Sequence, residues 1–256
     1  MDLPASFHDL KGKSVFITGG GSGIGECLVE GFLQQGCKVA FIDKLDSAAL
    51  CDRLESELGI RPLFVQGDIT DVTALQTAIG EAREAHGPIG VLVNNAANDT
   101  RHALADYSTG DWDRSIAVNL RPHFFTAQAV ADDMRALGGG AIVNFSSISY
   151  MMAGGEYPVY AAAKAGVTGL TKALARELGP DRIRVNALMP GWVMTERQKR
   201  LWAKPEVYAS FLERQCLNEE IQPVEMVCPV LFLASDTSRM MTGQSLVVDG
   251  GVVFPG

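Results

Sequence analysis

Tyr160 and Lys164 lie four residues apart in the run 157–164. On a helix that spacing puts both side chains on one face. A phenol with an ordinary pKa of about 10 is a poor base near neutrality, but an ammonium roughly 4 Å away favours its ionised form. At an effective dielectric of about 20 the pair is worth up to ~4 kcal/mol before solvation losses, which is about three pKa units at most. Tyr160 then becomes a usable proton acceptor between pH ~7 and ~8. Ser147 precedes Tyr160 by thirteen residues and follows an apolar strand candidate, where its hydroxyl can bond the same substrate oxygen. Asn119 sits in the apolar run Ile116, Ala117, Val118, Leu120, so its amide needs a partner. Taken singly, each also fits a plain structural role: helix-surface tyrosine, solvated lysine, strand-end serine, buried capping asparagine.

A second constellation precedes this one. Residues 18–25 read Thr-Gly-Gly-Gly-Ser-Gly-Ile-Gly and run from an apolar strand into an apolar helix. Glycine there lets the backbone turn sharply, lets a pyrophosphate reach the helix amino terminus, and lets the helix pack on the sheet. Gly19, Ser22, Gly23, Ile24 and Gly25 are the candidate residues, against the alternative of a tight strand-to-helix turn. The run is not a P-loop, having no Lys-Ser or Lys-Thr, and Ile24 breaks the G-x-G-x-x-G spacing. Asp43 ends the second strand twenty residues past Gly23, where a carboxylate can accept both ribose hydroxyls of an adenosine and repels a 2′-phosphate. NAD is therefore expected over NADP, with Lys44 as a neighbouring cation that softens the preference. The alternative for Asp43 is a cap on the next helix.

These residues need elements to hold them, and the chain supplies a repeating strand-helix rhythm. Strands are expected at 14–18, 38–43, 62–66, 89–94, 141–145, 183–187 and 245–249, and helices at 24–35, 71–86, 112–137 and 159–178. The strands are apolar almost throughout, which implies a parallel sheet covered by helices on both faces. The expected fold is α/β, a doubly wound seven-stranded parallel sheet in one domain spanning 1–256. Residues 191–223 break the rhythm with Trp192, Trp202, Pro205 and a polar helical stretch. Connections beyond about 12 to 15 residues are usually functional, and this one is read as a lid on the substrate side.

The 256 residues are 47% hydrophobic and 20% charged, enough for one sizeable core. The net charge of −8 is the wrong sign for neutralising phosphates, so nucleic acid and anionic membrane are not expected partners. No spanning segment or signal-peptide pattern is visible, and a cytoplasmic location is expected. The five cysteines, 27, 37, 51, 216 and 228, are an odd number without a framework and are expected as buried small hydrophobes. The histidines at 8, 86, 102 and 123 show no ligand spacing, so no metal is expected, and they are placed on surface or loops. Two N-x-[ST] matches, at Asn98 and Asn144, are read as chance matches or as polar residues with other roles.

Jointly, the motifs resemble the short-chain dehydrogenase/reductase family over essentially the whole chain. Its Thr-Gly-x-x-x-Gly-x-Gly matches 18–25, its Asn-Asn-Ala-Gly matches 94–97, and its Tyr-x-x-x-Lys matches 160–164. The resemblance implies a Rossmann fold, a homotetramer, and a catalytic tetrad: Asn119 holding a water in a proton relay, Ser147 orienting the substrate oxygen, Tyr160 as acid/base, and Lys164. Lys164 would also hold the nicotinamide ribose. It further implies Asp68 and Ile69 beside the adenine, Asn95 steadying the central strand, and the loop with Pro190, Val193 and Thr195 on the nicotinamide amide. Ala97 stands where the family has glycine, which leaves local geometry in doubt unless the backbone there avoids positive φ.

Residues 94–102, 144–149 and 195–198 are similar to NAD-dependent aldose 1-dehydrogenases of the same family, which oxidise galactose, arabinose or xylose at the anomeric carbon. That resemblance implies a sugar substrate and a lactone product. Asn98, Arg101, Glu156, Trp192 and Arg197, with Ser147 and Tyr160, are the candidate sugar contacts. The alternatives are a dehydrogenase of another alcohol, such as a 3-oxoacyl thioester, polyol or steroid, and a dinucleotide-binding protein without turnover.

Overall fold

The computed structural model describes residue 1 and residues 3–254. Its seven strands are β1 (Ser14–Thr18), β2 (Lys38–Asp43), β3 (Leu63–Gln66), β4 (Ile89–Asn94), β5 (Gly140–Phe145), β6 (Ile183–Pro190) and β7 (Ser245–Val248). They form one sheet in the order β3-β2-β1-β4-β5-β6-β7, and every pairing is parallel. The expected architecture is therefore present. β1 and β4 are buried at every residue, as continuous Val, Ile and Phe runs between two helical layers must be.

The helices are α1 (Gly23–Gln34), α2 (Ala48–Leu58), α3 (Val72–His86), α4 (Thr109–Asn119), α5 (Arg121–Ala136), α6 (Pro158–Leu178), α7 (Glu196–Leu201), α8 (Pro205–Leu212) and α9 (Val227–Ala234). Local chemistry sets their ends. Asp71 caps α3 by accepting from the Thr73 and Ala74 amides, and Ser108 with Asp111 forms a capping box on α4. Two apolar clusters occupy the faces of the sheet. One holds α1 and α9 through Leu28, Phe32, Val227 and Leu231, the other α3 and α5 through Leu75, Ile79, Val130 and Met134.

Three expectations need correction. The single helix expected over 112–137 is two helices that break at Leu120, because Pro122 has no amide hydrogen to continue the ladder and instead opens α5. His123 is on neither surface nor loop: it is 2% exposed on α5. Burial, with Lys164 nearby, pushes its pKa down to about 3, so the ring is neutral. Of the cysteines only Cys37 and Cys51 are buried, and Cys216 is exposed. No described helix is long and apolar enough to cross a membrane.

A buried polar ladder crosses the middle of the sheet. Asn94 Nδ2 donates to Asn144 Oδ1 at 3.0 Å, Asn144 Nδ2 to Thr171 Oγ1 at 3.0 Å, and Thr126 Oγ1 to Asn94 Oδ1 at 2.8 Å. It ties β4 and β5 to α5 and α6, the helix that carries Tyr160 and Lys164. Asn144, one of the two acceptor-motif asparagines, is fully buried in it. Replacing Asn144 with Leu strands two buried partners at about 1–3 kcal/mol each. The expected outcome is a fall of about 2–5 kcal/mol in unfolding free energy, read as a lower urea midpoint at unchanged slope; a midpoint like wild type would contradict the role given to the ladder.

Candidate active site

The sheet order reverses between β1 and β4, so connections leave these neighbours in opposite directions and open a crevice at their carboxyl ends. A cleft of about 1480 Å³ lies there. It is lined by every candidate cofactor residue: Gly19, Ser22, Gly23, Ile24, Gly25, Asp43, Asp68, Ile69, Asn95, Tyr160, Lys164, Pro190, Val193 and Thr195. Ser147, Asn98, Arg101, Trp192 and Arg197 line it as well.

The floor is shaped for a phosphate-bearing ligand. Gly19 has φ +69 and sits so close to β4's end that a side chain would meet the Ala96 Cα at 2.8 Å. A Cβ on Gly25 would stand 1.8 Å from the Gly19 carbonyl oxygen. Asn95 Nδ2 donates to that same carbonyl at 2.8 Å and to the Thr18 carbonyl at 3.2 Å. Ser22 makes no side-chain cap on α1, so the first amides of that helix have no side-chain acceptor and face the cleft. The neighbouring Asp43 Oδ2 accepts from the Gly21 amide at 2.8 Å and Oδ1 from the Leu45 amide at 3.1 Å. Lys44 Nζ is turned to Asp68 Oδ2 at 2.9 Å. These residues fit a nicotinamide dinucleotide: amides for the pyrophosphate, a carboxylate for a ribose, and an open path to Tyr160. Ala97 is not among the residues with positive φ, so its methyl is accommodated without strain.

The four tetrad candidates come together from three elements: Asn119 from the end of α4, Ser147 from the turn after β5, Tyr160 and Lys164 from α6. Asn119 is fully buried behind the cleft wall. Its Oδ1 accepts from the Asn98 amide and its Nδ2 donates to the Asn98 carbonyl, both at 2.9 Å. The Asn119 side chain thus holds the main chain of the 95–101 loop. Ser147 Oγ accepts from the Ser149 amide at 3.1 Å, which aims the hydroxyl from a one-turn helix.

Tyr160 and Lys164 share a face as their spacing requires, with the ammonium directed to a main-chain carbonyl. Lys164 is 1% exposed, and its Nζ donates to the Phe145 carbonyl at 2.8 Å and lies 5.7 Å from the Tyr160 ring centre. Burial pushes Lys164 down to about 7, with Asp99 pulling the other way. Burial raises Tyr160 well above its ordinary value; the Asp99 carboxylate adds to this, while Ser147 and Arg197 oppose it. Desolvation thus outweighs the Coulomb gain expected from a simple ion pair, and the phenol is raised rather than lowered.

On the substrate side, several expected sugar readers already have protein partners. Arg197 donates to Asp99 Oδ1 at 2.9 Å and to Asn98 Oδ1 at 3.1 Å. Trp192 Nε1 donates to Gln198 Oε1 at 2.9 Å, and its ring meets Tyr208 and Phe211 edge-on. The Arg101 guanidinium lies over Trp202 at 4.6 Å and Tyr157 at 5.5 Å. Glu156 does not line the cleft; its carboxylate is 70% exposed and pairs with Arg101 at 3.3 Å. The residues that sequence reasoning missed are Asp99 and Gln198, which line the cleft beside those it named. Their only signal was adjacency, Asp99 to Asn98 and Gln198 to Arg197.

A crevice lined by the glycine turn and by a serine, a tyrosine and a buried lysine defines a nicotinamide-dependent dehydrogenase class, and the chain belongs to the short-chain dehydrogenase/reductase family. Residues 19–253 match the family described as enoyl-(acyl carrier protein) reductase. The chain is 51% identical to the "probable galactose dehydrogenase GalD" of Rhizobium meliloti, over 98% of this chain and 100% of that protein. It is 46% identical to the D-xylose 1-dehydrogenase of Caulobacter vibrioides, over 96% and 98%. A solved short-chain dehydrogenase/reductase from Serratia marcescens superposes with a TM-score of 0.88 at 33% identity, covering 96% and 99%.

The Gly25 contact gives a direct test of the floor. Gly25→Ala is expected to weaken NADH binding at least about tenfold, since the methyl must displace main chain, while cooperative unfolding persists. Unchanged affinity by NADH fluorescence titration would show that the turn does not hold the dinucleotide.

Proposed function

We propose that this chain oxidises an aldose of the galactose, arabinose or xylose type at its anomeric carbon, with NAD as the acceptor, to give the sugar lactone. The observation that carries the reading is the convergence of Ser147, Tyr160 and Lys164 on one cleft whose substrate-side wall also carries Asn98, Asp99, Arg101, Arg197 and Gln198. The relatives of known name that act on galactose and xylose support the substrate class.

In this mechanism Ser147 bonds the anomeric oxygen and orients it toward Tyr160. Tyr160 takes the hydroxyl proton, and Asn119 keeps the 95–101 loop against the site by its paired bonds to Asn98. A bound nicotinamide dinucleotide supplies the acceptor for the C1 hydride. Gly19, Ser22, Gly23, Ile24 and Gly25 would hold its pyrophosphate, Asp43 its adenosine ribose, Asp68 and Ile69 its adenine, and Pro190, Val193 and Thr195 its amide end. Lys164 would reach the other ribose from beneath. Its buried amine acts in such a site because a bound ligand replaces the water it lost.

NAD is favoured over NADP because Asp43 stands where a 2′-phosphate would lie and Lys44, the nearby cation, is drawn off to Asp68. Residues 191–223, holding α7 and α8, form the substrate-side lid. The same reading includes a cytoplasmic homotetramer; exposed Trp112 on α4 and Phe124 on α5 support packing against another copy.

NADH formation at 340 nm across aldoses and non-sugar alcohols, with NAD and NADP in parallel, tests the reading. Strong NAD turnover on one or two aldoses is expected, and Tyr160→Phe should abolish it while NADH still binds; silence on every sugar with turnover on an apolar alcohol would overturn the substrate. Asp43→Ala is expected to weaken NAD binding and to relax discrimination against NADP, and an unaltered cofactor ratio would contradict its assigned place.

A further inference from the structure

Asp99 gathers the lid onto the loop after β4. Its Oδ1 accepts from Arg197 at 2.9 Å and its Oδ2 from Gln198 Nε2 at 2.7 Å. Gln198 in turn accepts from the Trp192 indole at 2.9 Å, and the second arm of Arg197 reaches Asn98 at 3.1 Å. The Asp99 side chain is only 23% exposed. One carboxylate therefore carries two of the bonds that hold α7 down, from a loop that Asn119 fixes against the tetrad.

The same carboxylate acts on the acid/base group. The groups that bear on Tyr160 are Asp99 from the loop after β4, Arg197 from α7, the Ser147 hydroxyl from the turn after β5, and Tyr157 and Lys164 from its own helix and its start. Arg101 and Glu156 act one residue further out, on Tyr157. Among these, Asp99 opposes an ionised phenol and Arg197 favours it. Asp99 also favours the charged form of Lys164.

We propose that Asp99 and Arg197 form a charge latch, in which docking of α7 both closes the cleft and prepares Tyr160 to take the substrate proton. With α7 away, Asp99 faces the phenol uncompensated, and like charge disfavours proton removal from the substrate onto a phenolate that does not form. With α7 docked, the Arg197 guanidinium offsets part of that charge as seen from Tyr160. Proton transfer is thereby tied to a closed, water-poor site. Asp99 and Arg197 are positioning residues here, and the inference rests on the proposed acid/base role of Tyr160.

The test compares the pH dependence of kcat/KM in wild type, Arg197→Gln, Asp99→Asn and the double variant, with hydrogen exchange of residues 195–202 measured on the ligand-free proteins. Arg197→Gln is expected to move the acid limb to higher pH by about one unit. Adding Asp99→Asn should return the limb to the wild-type position or below, which a merely structural role would not do. Arg197→Lys should restore part of the shift. Both single variants should exchange the α7 amides several-fold faster. An acid limb unmoved in Arg197→Gln, a double variant that stays shifted, or unchanged α7 exchange would each overturn the latch. Wild type without turnover on any aldose would instead sink the proposed activity, and the exchange measurement alone would then decide the latch.

Discussion

The parallel pairing of β1 with β4 is the joint on which the rest of this structure depends. Thr18 pairs with Asn94 at the point where the strand order reverses. Past that pair the two chains stay bound: Thr18 Oγ1 accepts from the Asn95 and Ala96 amides at 3.1 and 3.2 Å, and Asn95 returns two bonds to the Thr18 and Gly19 carbonyls. Those contacts fix the glycine turn against the end of β4 so closely that neither Gly19 nor Gly25 has room for a methyl. From the same joint the asparagine ladder runs outward through β5 to α6. The glycine turn and the helix that carries Tyr160 and Lys164 are thus placed by one hydrogen-bonded frame, buried enough that each unmade bond is costly.

The electrostatics of the tetrad follow from its burial. Three titratable groups, His123, Tyr160 and Lys164, share a low-dielectric region, and each is driven toward its neutral form. For His123 this removes a second cation from beside Lys164. Tyr160 and Lys164 are both held toward their neutral forms, so neighbouring charges weigh on the balance. Asp99 and Arg197 are the opposed pair nearest to that balance.

What was legible in the sequence is what has period or fixed spacing. The seven apolar strands, the glycine turn, Asp43 at the end of β2, and the Tyr160–Lys164 interval all express a local geometric rule, and all appear where that rule puts them. The break at Leu120 was also written in the chain, by Pro122, but an otherwise continuous helical pattern masked it. α9 was not legible: Val227–Ala234 is apolar even at the half-buried Cys228, Pro229 and Phe232, which leaves no periodicity to read. The partners of Arg197, Trp192 and Asn119 were illegible for another reason. Their bonds to Asp99, Gln198 and Asn98 include pairs separated by 21 to 99 residues, and no local pattern encodes which carboxylate a guanidinium will meet.

The two sides of the cleft differ in what holds them. The cofactor side rests on main-chain pairing and fully buried amides. The substrate side rests on side-chain bonds between partly exposed charged groups, such as Arg197 with Asp99 and Arg101 with Glu156, each worth about 0–1 kcal/mol when solvent-screened. Among the described residues, one isolated bridge, Val193 with Ile221, joins the ends of the 191–223 segment by backbone pairing. Opening α7 therefore costs a few weak bonds, whereas moving the glycine turn would require breaking the sheet. A floor held by main-chain pairing thus faces, across one cleft, a wall held by weak side-chain bonds.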